Sequence, residues 1–168
     1  MNTKKLTRTA LLLALLIALQ AATKPLGNQF VTGSCVNLVL AVAALLEGVW
    51  SAAVVAVLSP VFAYLFGISP QLWLAPAIAC GNLVYVVILA LVNRGKRDQL
   101  GRGAVSVVLG AAAKFAVLWL LVVKLLIPAG SLPAKVAVQF SWPQLVTALI
   151  GGALALVIVP RLRKALKD

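Results

Sequence analysis

The sequence predicts an all-α integral membrane protein, one transmembrane domain over residues 1–168 with six spans and both termini in the cytoplasm. Three observations carry that prediction. Of the 168 residues, 63% are hydrophobic and only 11% are charged, against roughly 25% charged in a soluble domain. The mean hydropathy is +1.10, more apolar surface than a soluble chain of this length can bury. The apolar residues also fall into six runs separated by turn-forming residues, and the basic residues gather at alternate gaps.

The first run, residues 6–22, follows Lys4, Lys5 and Arg8 and continues without a small-residue cleavage site, so it reads as a retained helix rather than a signal peptide. Ala10, Ala14 and Ala18 recur every four residues along it. That spacing places them on one helix face, a smooth strip suited to close helix approach in a membrane. Residues 23–32 read as a polar loop, with Pro25, Gly27 and Asn28 as turn signals. The second run, 33–46, is short against the roughly 20 residues that a span needs, and it ends at Glu47-Gly48. The third, 49–66, contains Ser59-Pro60, where a kink or break is expected.

A turn at Gly67-Ile68-Ser69-Pro70 leads to the fourth run, 72–92, whose Pro76 sits in the first turns, where a missing N–H does least harm. Residues 93–103, NRGKRDQLGRG, form the clearest loop. The fifth run is 104–127, a connection of about fifteen residues follows, and the sixth is 143–159 before a basic tail.

Charge orients the bundle. With both termini inside, the cytoplasmic ends hold Lys4, Lys5, Arg8, Arg94, Lys96, Arg97, Arg102, Arg161, Arg163, Lys164 and Lys167, eleven of the fifteen basic residues. That is the bias of the positive-inside rule. Trp73 and Trp142 then open their spans at the outer interface and Trp50 lies near the inner one. The net charge of +12 therefore reflects topology and anionic headgroups rather than nucleic acid.

The chemistry on offer is sparse. The acids are Glu47, Asp98 and Asp168, there is no His, and Cys35 and Cys80 have neither metal nor redox spacing. General acid–base, nucleophilic and metal mechanisms lack their groups, so no enzyme, cofactor or metal is expected. Neither a phosphate loop nor an intramembrane carboxylate or His is present to drive transport. A chain that moves a solute uphill would take its energy from another subunit.

One charge is out of place. Lys114 lies ten residues into the fifth run, roughly 15 Å deep at about 1.5 Å per residue. Near the midplane an ionised lysine costs about 2.5–3.5 kcal/mol on insertion scales. Asn82 lies ten residues into the fourth run from the opposite side, so the two reach a similar depth. Gln144, Thr147 and Gly151 share a face of the sixth run, and Asn37 lies one turn inside Gly33. These residues outline an outward-opening pocket with Lys114 and Asn82 at its floor and alanines such as Ala75 and Ala79 on its wall. Gln139, Trp142 and the 23–32 loop form its rim. A cation without a protein counter-charge favours a ligand carrying a carboxylate, phosphate or carbonyl. Three other readings stand beside this one: a neutral Lys114, Lys114 bonding carbonyls freed by a break at Pro60, and Asn82 bridging two helices. Tyr85 and Trp119 read as packing residues rather than ligand contacts.

Six short spans, the alanine ladder, the stretch VTGSCVNLVLAVAALLEGVWSAAVVAVLSPVFAYLFGI and the Gly81-Asn82 step together resemble a substrate-specific (S) component. These are the binding subunits of energy-coupling-factor (ECF) importers of vitamins and other micronutrients. The resemblance implies a transmembrane coupling subunit docked on Ala10, Ala14 and Ala18, two ATP-binding subunits beyond it, and a prokaryotic plasma membrane. It also implies substrate capture at the outer face by the first loop and the fourth to sixth helices. In that frame Asn82, Lys114, Asn37, Gln139, Gln144 and Thr147 are the candidate substrate contacts, for a riboflavin-like molecule or a pantothenate-like acid. The alternatives from other classes are an assembly protein without a small ligand and a self-sufficient small oligomeric transporter.

Overall fold

A computed structural model describes residues 3–69, 71–94 and 100–166 as a bundle of six helices, with no strand among them. The helices are α1 (Thr3–Thr23), α2 (Gln29–Leu46), α3 (Val49–Leu65), α4 (Leu74–Val92), α5 (Leu100–Leu118) and α6 (Trp142–Ala165). Helix α5 continues as a π-helix over Trp119–Leu126, and short 3₁₀ turns cover Lys24–Leu26 and Ala134–Val138. Five of these helical stretches are long and apolar enough to cross a membrane, and α3 is a shorter apolar helix. In hydrocarbon a helix satisfies its own backbone donors and acceptors, so uninterrupted Leu/Val/Ala runs have no better option.

Four local expectations need correction, the first being the loop 93–103, whose last four residues already belong to α5. Most of residues 23–32 is helical rather than loop, because the Asn28 side chain accepts a hydrogen bond from the Phe30 N–H at 2.9 Å and starts α2 at Gln29. That early start gives α2 its 18 residues. Helix α3 runs through Ser59-Pro60 without a break. Two connections of the expected topology, at Pro70 and at residues 95–99, lie outside the described residues, as do Lys96, Arg97, Asp98, Lys167 and Asp168.

Helix α2 is the centre of the bundle, buried continuously over residues 39–45 and packed most extensively on α6. Small residues set that contact. A Cβ on Gly151 would lie 2.5 Å from the Leu38 backbone nitrogen, so only glycine lets the two backbones come this close. The tight turn into α3 uses Gly48 at φ 89°, a backbone angle that other residues rarely adopt.

The two ends of the bundle differ in charge. At one end Arg8 pairs with the buried Glu47 carboxylate at 3.3 Å, and Arg163 donates to the Leu45 carbonyl at 2.5 Å. Beside them the Asn93 Nδ2 donates to the Leu89 carbonyl and to Ser106 Oγ, joining the end of α4 to the start of α5. Both ends of the described chain meet here, with Lys4, Lys5, Arg94, Arg102, Arg161 and Lys164 on the same elements. The opposite end carries Lys24 and Lys124. There the connection from α5 to α6 packs Leu132, Val136 and Phe140 onto Leu74, Ala77, Leu118 and Val122.

Candidate functional site

Between the helices, reaching inward from the end opposite the basic one, lies a cavity of about 600 Å³. Its mouth is formed by the α1–α2 connection, the α3–α4 turn and the segment before α6, through Lys24, Asn28, Ser69, Gln71 and Gln139. The Lys24 Nζ donates to the Gly67 carbonyl at 2.5 Å, tying the first two of these together. Lys114 and Asn82 line the interior, with Asn37 beside them.

Lys114 is 2% exposed and donates to Asn37 Oδ1 at 2.6 Å and to Asn82 Oδ1 at 2.7 Å. These are the short lengths of charge-assisted bonds. Hydrogen bonds to a charged group are worth about 1.5–3 kcal/mol each, so two of them offset the insertion cost of the cation. Its neighbour on the other side is the Tyr85 ring, 5.6 Å from Nζ to the centroid. The Tyr85 hydroxyl is committed elsewhere, donating to the Ala148 carbonyl at 2.9 Å.

An ammonium only donates, so both asparagines must turn their oxygens to it. That choice orders what lies behind them. Asn37 Nδ2 donates to Thr147 Oγ1 at 3.2 Å, the Thr147 hydroxyl donates to the Gln144 carbonyl at 3.3 Å, and Gln144 Nε2 donates to the Gln139 carbonyl at 3.0 Å. These bonds step from the floor toward the mouth along α2 and α6, with the orientations set by Lys114 ending at Thr147, which donates to the Gln144 backbone. Asn82 has no such support: its Nδ2 is buried without a hydrogen-bond partner among the described residues. The ammonium likewise keeps one of its three N–H groups without a hydrogen-bond acceptor among the described residues.

Five of the six expected contacts line the cavity: Asn37, Asn82, Lys114, Gln139 and Gln144. Thr147 does not; it stands behind Asn37 as its hydrogen-bond acceptor. Ala75 and Ala79 are also absent from the wall, which α4 forms with Leu74, Ile78 and Asn82 at four-residue spacing. Trp142 is 58% exposed and packs against Phe30 with the rings tilted at 45° instead of facing the cavity, and Trp119 lies under the Lys124 ammonium at 4.9 Å. Of the other readings, the structure gives Lys114 side-chain partners rather than carbonyls freed at Pro60, while Asn82 does bridge two helices, joining α4 to α5 through that lysine.

Sequence reading missed the contribution of α1 and α3. Gln20, Ser59, Pro60 and Ala63 all line the cavity, as does Gln71 before α4. A lone Gln or Ser in an apolar run was the available signal, but the run does not say which way the residue faces. On the outside of α1, Ala10, Ala14 and Ala18 are all exposed, on the same surface as Leu11 and Leu15.

The search of curated proteins and the search of solved structures each found no match. The family model described as "ECF transporter, substrate-specific component" matches residues 4–163, nearly the whole chain and every helix of the bundle. The chain therefore belongs to the substrate-specific components of ECF transporters, multi-pass membrane proteins that bind a transport substrate and are not enzymes.

Proposed function

We propose that the cavity captures a micronutrient at the outer face of the cell membrane, and that a carboxylate or carbonyl of this molecule meets Lys114 at the floor. The observation that carries this reading is the state of Lys114. It is buried at the bottom of a 600 Å³ cavity, held by two neutral amides, with one N–H left for a ligand. Pockets for small ligands have this size, an apolar lining and a few convergent polar groups. A riboflavin-like molecule and a pantothenate-like acid both bring the required acceptors.

The outward direction rests on charge, since the basic end of the bundle is the one the positive-inside rule assigns to the cytoplasm. Release inside requires an energising partner. The exposed ladder Ala10, Ala14 and Ala18 supports docking on a transmembrane coupling subunit that two ATP-binding subunits drive, in the plasma membrane of a prokaryotic cell.

The test is thermal stabilisation of the purified, partner-free protein by riboflavin, pantothenate, biotin and nicotinate. A ligand at one hundred times its Kd stabilises by about 2.7 kcal/mol, a rise of several degrees in Tm. Lys114→Met should abolish that rise. Stabilisation by none of the four compounds, or full stabilisation of the Met variant, would overturn the reading.

A further inference from the structure

Four buried side-chain atoms that lack a hydrogen-bond partner among the described residues belong to residues lining the one cavity: Gln20 Oε1, Ser59 Oγ, Gln71 Oε1 and Asn82 Nδ2. Folded proteins leave few buried polar atoms unpaired, because each has given up its hydrogen bonds to water for nothing in return. Four around a single cavity mark groups whose partner comes from outside the chain.

Their positions sort them into two levels. Asn37, Ser59 and Asn82 lie roughly 14, 15 and 15 Å from the basic ends of α2, α3 and α4, at about 1.5 Å per residue. Ser59 therefore stands level with the floor, across from the pair that holds Lys114. Gln20 is near the last turn of α1, and Gln71 precedes α4, whose first residue is roughly 12 Å above Asn82 by the same rise. The two glutamines make an upper level at the mouth.

The levels differ in what they ask of a ligand. The floor offers donors: the remaining Lys114 N–H, the Asn82 Nδ2–H groups and a Ser59 hydroxyl that donates or accepts. The open oxygens at the mouth, Gln20 Oε1 and Gln71 Oε1, accept. Resting on the outward substrate pocket proposed above, we infer that the ligand is elongated and polar at both ends. Its carboxylate or carbonyl end enters first and meets Lys114, Asn82 and Ser59. A hydroxyl- or N–H-bearing tail, on the order of 10 Å away, is held at the mouth by Gln20 and Gln71. Helices α1 and α3 thus take part in ligand selection, and a molecule with acceptors alone binds weakly.

The inference is tested on the purified protein with whichever of riboflavin, pantothenate, biotin and nicotinate binds most tightly, comparing wild type with Gln20→Leu, Gln71→Leu and Ser59→Ala. Each substitution removes an unpaired polar atom, so the ligand-free Tm should hold or rise while affinity falls about tenfold. Where riboflavin is the ligand, lumiflavin, which lacks the hydroxylated chain, should bind wild type as weakly as riboflavin binds the Gln20→Leu/Gln71→Leu double variant. For pantothenate, panthenol, which lacks the carboxylate, should gain nothing from Lys114. Unchanged affinity in the three variants, with Lys114→Met still defective, overturns this inference and leaves the pocket reading intact. A ligand-free Tm lowered by all three substitutions marks them as structural groups and overturns it as well. Failure of all four compounds to bind wild type overturns both.

Discussion

Lys114 and its amide partners form a set in which every orientation follows from one residue's lack of an acceptor. Because the ammonium takes both asparagine oxygens, Asn37 needs an acceptor for its Nδ2 and finds Thr147 Oγ1 at 3.2 Å. Thr147→Val keeps the shape and removes that acceptor, leaving a fully buried N–H unpaired. The expected cost is about 1–3 kcal/mol, read as a lower Tm of the purified protein, and Thr147→Ser should restore most of it. Gln144 is less demanding, since its own bond is to the backbone of Gln139. That Lys114 and Asn82 meet was legible in the sequence from the count of residues along each run, although α5 begins at Leu100, four residues before the expected 104, and the long lysine side chain covers the difference in level. Thr147 stands behind Asn37 rather than on the cavity wall, because spacing along α6 gives a shared face but not the distance from that face to α2.

At the scale of the element, α1 differs from the rest of the bundle. Only Thr9 and Leu16 are buried along its 21 residues, while Ala10, Ala14 and Ala18 lie in the open. Small side chains facing outward give lipid little to pack against and give another helix close access. Ala14→Trp should therefore leave ligand binding by the isolated subunit at the wild-type Kd and abolish uptake in cells that carry the coupling and ATP-binding subunits. Equal loss of binding and uptake would place the ladder in the bundle's own packing. Helix α3 shows the opposite economy. Its outer face carries Val54, Val57, Leu58 and Val61 toward lipid, and its inner face contributes Ser59 and Pro60 to the cavity. The expected break at Pro60 is absent, and the helix runs through it to Leu65.

For the whole molecule the governing asymmetry is electrostatic. Basic residues at one end and a cavity that opens at the other give the bundle a direction. In a Cys35→Ser/Cys80→Ser background, Ser131→Cys should react with a membrane-impermeant maleimide on intact cells. Leu166→Cys should react only after permeabilisation. The reverse pattern would turn the cavity toward the cytoplasm and exclude capture from outside.

Hydropathy along the chain was enough to establish six helices, their order and the alternation of charged ends, because each depends on neighbours within a few turns. The odd lysine and its level in the bilayer were equally local. Tertiary structure alone decided which side of each helix faces the interior. Hydropathy does not set the rotation of an α3 that is apolar on nearly every side; its contacts with α1 and α4 bury the face of small residues Ser51, Ala52, Ala56, Ser59 and Ala63. The same holds for Gln20 and Gln71, which reach one cavity from segments some fifty residues apart. It holds too for Asn37, which meets Lys114 of α5 on one side and lies on the other against Gly151, where a Cβ would come within 2.7 Å of its own.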